Sequence, residues 1–82
     1  MPVYYAKSKS RNLYYIGWKF SGLGMKVYYS ATHLVAMSAA EIHQLHKDSH
    51  TYVTLDNIFA FRDLEFFQLG GDPISFEDIP KV

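Results

Sequence analysis

Three of the four histidines are spaced so that a helix would bring them to one side. His43, His46 and His50 stand at positions i, i+3 and i+7, and His33 would join them only through the tertiary fold. Imidazole is a ligand of zinc, copper and nickel. Histidines near a helix C-terminus are, however, also favoured by the helix dipole, and the polar pair at 48–49 is typical of a helix end. We therefore expect solvated or capping histidines, with no metal site and no cofactor.

Motifs for catalysis are missing from the sequence. No nucleophile-elbow glycine pattern frames a serine, and the glycines at 22–24 and 70–71 lack the strand-then-helix setting of a phosphate-binding loop. The chain has no cysteine, which excludes a thiol nucleophile, a thiolate zinc site and a disulfide framework. A chain of 82 residues also has little material for a water-excluding pocket beside its core. We expect no enzyme activity.

Charge is unevenly distributed along a chain whose net charge is zero. Residues 1–26 carry five basic side chains and no acidic one, whereas residues 27–82 carry three basic and eight acidic ones. One interpretation is that the two ends fold against each other or stay solvated. The alternative is a basic face that meets phosphate or an acidic protein surface.

The N-terminal third has the composition of β-strands. Segments 3–6 and 12–20, and a third segment that starts at Met25, are rich in aromatic and β-branched residues and are bounded by turn formers. The glycines within 21–24 allow the chain to turn between the second and third segments, because glycine reaches positive φ without steric cost. These segments predict three consecutive strands.

A helix start is the clearest local signal. Ser38 and Glu41 have the spacing of a capping box, in which the serine oxygen accepts the N3 amide and the glutamate reaches back to the serine amide. Met37 and Ile42 occupy the positions of a hydrophobic staple around this cap. The pattern predicts a helix over 38–47.

The C-terminal third contains two further β-like regions. Residues 51–55 resemble a strand, and 58–69 holds four phenylalanines, which favours strands. If 58–69 were a helix, Arg62 would lie in the middle of its apolar arc, so we predict two short strands with a bend. Residues 72–82 are predicted to be an irregular tail.

The order β-β-β-α-β-β predicts an α+β fold. Residues 1–82 would form a single globular domain in which a small antiparallel sheet of about five strands has the helix packed on one face. Aromatic side chains bury on the order of 150–250 Å² each, so the seven tyrosines, six phenylalanines and one tryptophan can build a core in so short a chain.

Side-chain alternation along the second strand predicts which face of the sheet is buried. One face is strongly apolar and is predicted to be core, together with residues of the same parity in the other strands: Tyr14, Ile16, Trp18 and Phe20, with Val3, Tyr5, Met25, Val27 and Tyr29. The opposite face would be aromatic and basic. We predict a binding surface there, formed by Tyr4, Tyr15, Tyr28, Lys19, Lys26, Lys7, Lys9 and Arg11.

Two interpretations of that outward face compete. The phenylalanines of 58–69 (Phe59, Phe61, Phe66 and Phe67) would cover it as a second core, or it would remain open as a contact surface. Contiguous exposed aromatics are uncommon on monomers, and tyrosine and tryptophan are enriched in interface hot spots. We expect a non-catalytic protein-binding module whose partner is another protein, either from a host or a second copy in a homodimer.

The wider role is an expectation by analogy. Small chains without catalytic motifs are often regulators or inhibitors, of the type that phages and mobile elements encode to block a host defence complex. The alternative is binding of single-stranded nucleic acid, since stacking tyrosines flanked by basic residues suit it. A pI near 6.9 argues against that alternative, because nucleic-acid binders usually have a basic excess. The sequence shows neither a secretory signal nor a membrane-spanning run, so we expect a complete, cytoplasmic chain without a membrane partner.

Overall fold

The computed structural model describes residues 2–22, 24–52 and 61–81. These residues form five strands, one α-helix and a short 3₁₀ turn. In chain order the elements are β1 (Tyr4–Ser8), β2 (Leu13–Ser21), β3 (Gly24–Ser30), α1 (Ala39–Thr51), β4 (Leu64–Gln68), β5 (Pro73–Ile74) and the 3₁₀ turn Phe76–Asp78. The predicted α+β fold, with one helix between three strands and two strands, is confirmed.

All five strands pair antiparallel in one sheet. Their order across the sheet is β3-β2-β1-β4-β5, so that β1 lies in the centre and β3 and β5 form the edges. The strand pairs β1–β2 and β2–β3 follow the chain, whereas β4 returns after the helix to the free side of β1. The N-terminal strand is therefore held on both sides.

Helix α1 begins as its capping box predicts. The Ser38 Oγ accepts the Glu41 amide at 3.2 Å, and the Glu41 carboxylate accepts the Ser38 amide at 3.1 Å. Met37 is buried and exchanges two backbone hydrogen bonds with Tyr4, at 2.7 and 2.8 Å. The helix entry is thus joined directly to the central strand, and Ile42 and Leu45 pack into the core.

Three C-terminal predictions need correction. The helix extends through Thr51, which was predicted to start a strand over 51–55; the rest of that segment lies outside the described residues, apart from Tyr52, which forms the helix C-cap. Within 58–69, strand β4 confirms a strand at 64–68, but Phe61 and Arg62 have helical backbone. The predicted irregular tail contains β5 and the 3₁₀ turn, because its apolar residues bury against the sheet, Ile79 most of all.

The helix divides the sheet into two faces. The inner face is the one on which α1 packs, and its core residues are Tyr4, Ala6, Tyr15, Met25, Leu64 and Phe66 together with Met37, Ile42, Leu45 and Ile79. The outer face is the opposite side of the same strands. Because side chains alternate, the immediate neighbours of the inner residues point to the outer face.

A β-bulge in β2 changes the parity of this alternation. Tyr15 pairs with Tyr29, but the next pair is Gly17 with Tyr28, so Ile16 has no partner on β3. Gly17 has φ +136°, a backbone conformation that L side chains rarely adopt. The extra residue turns odd-numbered side chains inward before the bulge and even-numbered ones inward after it.

The turn between β1 and β2 is fastened to the start of β4 by Asp63. Its carboxylate accepts hydrogen bonds from the hydroxyls of Ser8 and Ser10 and from the Ser10 amide, the last at 2.9 Å. Its backbone carbonyl accepts the Lys9 amide at 2.8 Å. Burial by itself would raise the pKa of the Asp63 carboxyl, but these hydrogen bonds and the charge of Arg11 outweigh it and lower that pKa below its ordinary value. The carboxylate therefore stays charged and holds the turn.

Candidate binding face of the sheet

The structure places the three tyrosines of the predicted binding surface on different faces. Tyr4 and Tyr15 are buried in the inner face, with 2% and 5% of their surface exposed, so their prediction as outward residues is wrong. Tyr28 lies on the outer face and is 38% exposed, as predicted. The error for Tyr15 follows from the bulge, since parity counted back from Trp18 across Gly17 is inverted.

The same inversion moves two residues out of the predicted core. Tyr14 lies on the outer face, and Ile16 is exposed at the bulge. Trp18 does pack against the core, while Phe20 extends past it and lies edge-on to Tyr52, with ring centroids 4.7 Å apart. Phe20 is 63% exposed and is therefore not a core residue.

The predictions of inward and outward residues hold in β3 and fail in β1. Met25 is core, and Val27 and Tyr29 pack against the core as predicted. In β1 the prediction fails, because Tyr4 is buried and Tyr5 points outward.

An aromatic cluster occupies the centre of the outer face. Tyr5 and Phe67 are direct cross-strand partners on β1 and β4, and their rings stack with centroids 5.0 Å apart and an interplanar angle of 12°. Tyr14 on β2 meets the Tyr5 ring edge-on at 5.9 Å. The three rings are half-buried. Tyr5, Tyr14 and Phe67 thus form the surface that was assigned to Tyr4 and Tyr15.

Basic side chains border this cluster on two sides. The Lys7 Nζ lies 5.4 Å from the centroid of the Tyr14 ring, and the Lys26 Nζ lies 5.6 Å from that of Tyr28. Lys19 and Lys26 are direct cross-strand partners on β2 and β3. Like charges directly opposite each other in a sheet are destabilising, so this pair is unfavourable for the fold taken alone. Lys19 and Lys26 lie on the outer face, as predicted, and Lys7 lies there as the cross-strand partner of Tyr14.

Lys9 and Arg11 do not belong to this surface. Both lie in the turn between β1 and β2 rather than on an extended strand. The Arg11 guanidinium lies 3.7 Å from the Asp63 carboxylate and 4.7 Å from the centroid of the Tyr29 ring, so it is engaged at the end of the sheet. The predicted basic trio with Lys7 is therefore separated by the turn.

A second core over the outer face is not formed by the described part of the C-terminal segment. Phe61 and Phe66 pack on the inner side with Phe76, at centroid separations of 5.3 to 6.1 Å. Phe67 reaches the outer face only as a residue of β4 itself. Phe59 lies outside the described residues. The described elements therefore leave the outer face open.

The histidines of α1 contact aromatic rings and backbone carbonyls. The His43 Nε2–H donates to the Ile79 carbonyl at 3.0 Å, and the His50 Nδ1–H donates to the His46 carbonyl at 2.8 Å. The His46 ring packs between Phe61 and Phe76, with centroids 4.9 and 4.7 Å away. Burial, together with the nearby His50 and His43, lowers the pKa of His46. No group of three metal-ligating side chains occurs within 2–22, 24–52 and 61–81.

The signal that would have located the outer tyrosines is Gly17. A glycine inside a strand often marks a bulge, and a bulge shifts parity by one residue. Parity counted separately on each side of Gly17 assigns Tyr15 to the core and Tyr14 to the surface. For β1, the small residues Ala6 and Ser8 share their parity with the buried Tyr4, and nothing in their types indicates this before the pairing with β4 is known.

Comparisons with known proteins give this surface no precedent. No family model matches the chain, and no curated protein or solved structure matches it. Among the described residues, no helix is long and apolar enough to cross a membrane.

Proposed function

We propose that this chain is a non-catalytic protein-binding module and that the outer face of the sheet is its binding surface. The surface consists of the cluster Tyr5–Tyr14–Phe67, with Tyr28 beside it and Lys7, Lys19 and Lys26 at its border. An apolar aromatic centre with a charged border is the usual arrangement of a protein interface. The observation that carries the proposal is the open aromatic cluster on a strand face that the helix does not cover.

The lysines indicate the charge of the partner. Lys19 and Lys26 oppose each other across β2 and β3, which costs the fold stability. An acidic surface placed against them would remove this repulsion on binding. Steering by such a field also raises the rate of association with an acidic partner. The partner is therefore a protein that presents carboxylates around an apolar patch.

Ring geometry favours a protein over single-stranded nucleic acid. Base stacking needs an aromatic ring with an open face. On the outer face, Tyr5 and Phe67 stack on each other, Lys7 lies over Tyr14, and Lys26 lies over Tyr28. Each of these rings thus has a neighbour over one face, and the tyrosine hydroxyl groups suit hydrogen bonds at a protein interface.

A small binder without catalytic machinery would act by occupying a surface of its partner. That is the action of a regulator or inhibitor, and it includes the class of phage or mobile-element protein that blocks a host defence complex. A second copy of this chain is the other protein that could bind to the outer face. The lysines disfavour it, because a self-interface on this face would bring several basic side chains together.

The proposal is tested by charge removal on the outer face. The chain is used to capture proteins from a lysate of its source, and the captured protein is identified and purified. Its affinity is then measured by calorimetry for the wild type, for Lys19→Ala with Lys26→Ala, and for a control pair of exposed helix residues, Gln44→Ala with Lys47→Ala. We expect the outer-face pair to weaken binding by at least about tenfold, a loss of about 1.4 kcal/mol, and the control pair to leave it unchanged.

Two results would contradict the proposal. Equal affinity of both variant pairs would show that the partner binds elsewhere. Anisotropy with single-stranded DNA and RNA oligonucleotides at two salt concentrations provides the other test. Tight binding that falls log-linearly with salt and is lost with Lys19 and Lys26 would indicate phosphate contacts and would replace the protein partner with a nucleic acid.

A further inference from the structure

A second concave surface lies at the β4–β5 edge of the sheet, where helix α1, the start of β4 and the C-terminal segment meet. Its volume is about 530 Å³. It is lined by Lys9, His46, His50, Phe61, Arg62, Leu64, Glu65, Phe66, Pro73, Ile74, Ser75 and Phe76. Small-molecule sites are clefts of roughly 300–1,000 Å³, and the volume of this groove lies within that range.

The groove exists because β5 is short. Strand β5 pairs only with Phe66 and Phe67, so the first residues of β4 have no strand neighbour on that side within the described part of the chain. The chain then turns into the 3₁₀ segment that carries Phe76. The groove lies where the start of β4, residues 73–76 and the C-terminal half of α1 meet.

Its walls are aromatic. Phe61 meets Phe76 edge-on at 5.3 Å and Phe66 at 5.8 Å, and the imidazole of His46 lies against Phe61 and Phe76. Offset and edge-on arrangements of this kind are the preferred packing of aromatic rings. A planar ring of a ligand would contact the parts of Phe61, Phe76 and His46 that face the groove.

Two of its three charged side chains are cationic. Lys9 and Arg62 are both exposed at the groove, and neither forms an ion pair with any carboxylate of the described residues. Glu65 is the only acidic residue among the described residues that line the groove. Two unpaired cations against one carboxylate give the groove a net positive charge. An arginine is well suited to a carboxylate, because its planar guanidinium can donate two parallel hydrogen bonds.

We propose that this groove binds a small planar aromatic carboxylate. The ring packs against Phe61, Phe76 and His46, and the carboxylate is held by Arg62 and Lys9. The site is separate from the protein-binding face and does not depend on it. Lys9 thereby acquires a role different from the one predicted with Lys7 and Arg11.

The test compares an anionic probe with its neutral amide. Binding of 2-naphthoate and of 2-naphthamide to the full chain is measured by calorimetry, and the site is located by amide chemical-shift changes. We expect naphthoate to bind at least about tenfold more tightly than naphthamide, as a charge-assisted hydrogen-bond pair implies. The shifts should fall on the groove residues, such as His46, Phe61 and Phe76, and spare Tyr14 and Tyr28.

Two double variants each remove two positive charges, one pair inside the groove and one pair outside it. Lys9→Gln with Arg62→Gln should abolish the preference for naphthoate, while Lys47→Gln with Lys81→Gln, which removes two exposed charges outside the groove, should preserve it. No binding of naphthoate at millimolar concentration, equal binding of acid and amide, shifts on the outer face, or the same loss in both variant pairs would each overturn the proposal. The wild-type comparison decides the matter even where a variant fails to fold.

Discussion

Adjacent tyrosines on opposite faces of one sheet have different roles in this protein. Tyr15 and Tyr14 are neighbours in β2, yet the first is buried beneath α1 and the second lies half-exposed beside Tyr5. The same contrast holds in β1 for Tyr4 and Tyr5. The residue type is identical in each pair, so only strand register distinguishes a core tyrosine from a surface tyrosine.

The largest expected effect on the free energy of unfolding comes from truncating a buried tyrosine, Tyr15 or Tyr4. Tyr15→Ala should cost about 3–5 kcal/mol, as for large-to-small changes of buried aromatic residues, and Tyr4→Ala should behave similarly. Tyr14→Ala should cost only about 1 kcal/mol, the typical value for a point mutation. Urea unfolding of the three variants measures the difference. Equal losses for Tyr14 and Tyr15 would mean that the outer face is packed as a second core.

A smaller loss is expected at the polar end of the inner face. Ser8 is fully buried, and its hydroxyl donates to the Asp63 carboxylate. Asp63→Asn should cost about 1.5–3 kcal/mol, the range for hydrogen bonds to charged groups. Equilibrium unfolding at neutral pH measures this cost, and Asp72→Asn, at an exposed carboxylate, is the control. A loss no larger than that of the control would mean that the turn does not depend on Asp63.

The same carboxylate predicts a direction for pH dependence. Burial opposes the charged form of Asp63, but the hydrogen bonds from Ser8 and Ser10 and the charge of Arg11 lower its pKa below the ordinary 3.8. Its stabilisation is therefore complete above the unfolded pKa and is lost as the pH falls through the lower folded value. Unfolding between about pH 5 and about pH 2 should show a steeper loss for the wild type than for Asp63→Asn. Parallel curves would exclude Asp63 as the titrating group.

Removing the N-cap of α1 should lower the free energy of unfolding by a smaller amount. Ser38→Ala removes the acceptor of the Glu41 amide and should cost about 0.5–2 kcal/mol. Glu41→Gln keeps a side chain that can complete the capping box and serves as the matched control. Urea melts compare the two. Wild-type stability in Ser38→Ala would show that the contact of Met37 with Tyr4, rather than the cap, sets the start of α1.

The smallest effect on stability is expected at Tyr29, on the edge strand β3. The Tyr29 Oη is buried and has no hydrogen-bond partner among the described residues. Burial raises the pKa of Tyr29, the charge of Arg11 lowers it in part, and the charge of Asp63 adds to the rise. Removing an unsatisfied buried hydroxyl is close to neutral or stabilising, so Tyr29→Phe should change stability by no more than about 0.5 kcal/mol. A loss above 1 kcal/mol in a thermal melt, about the cost of one lost hydrogen bond, would show that the hydroxyl is bonded in solution.

Local signals in the sequence predicted the elements better than the faces. The capping box depends on residues three apart, and α1 begins where Ser38 and Glu41 place it. Which side of β2 is buried depends on the bulge at Gly17 and on pairing with β3, a longer-range property. The groove was missed because it joins Lys9 to residues of α1, β4 and the tail, and no spacing in the chain records that juxtaposition. Lys19, Lys26 and Tyr28 were placed on the outer face correctly.

The sheet has a buried inner face and an outer face that we propose binds the partner. The most direct test is the solvent accessibility of each tyrosine ring in the free protein and in the complex. With only this chain carrying labelled tyrosine, photochemically induced nuclear polarisation reports which rings meet solvent. We predict a signal from Tyr28 in the free protein that disappears when the captured partner binds, and no signal from Tyr4 or Tyr15 in either state. A Tyr28 signal that persists in the complex would contradict the outer face as the binding surface. A signal from Tyr4 or Tyr15 in the free protein would contradict the inner face as the core.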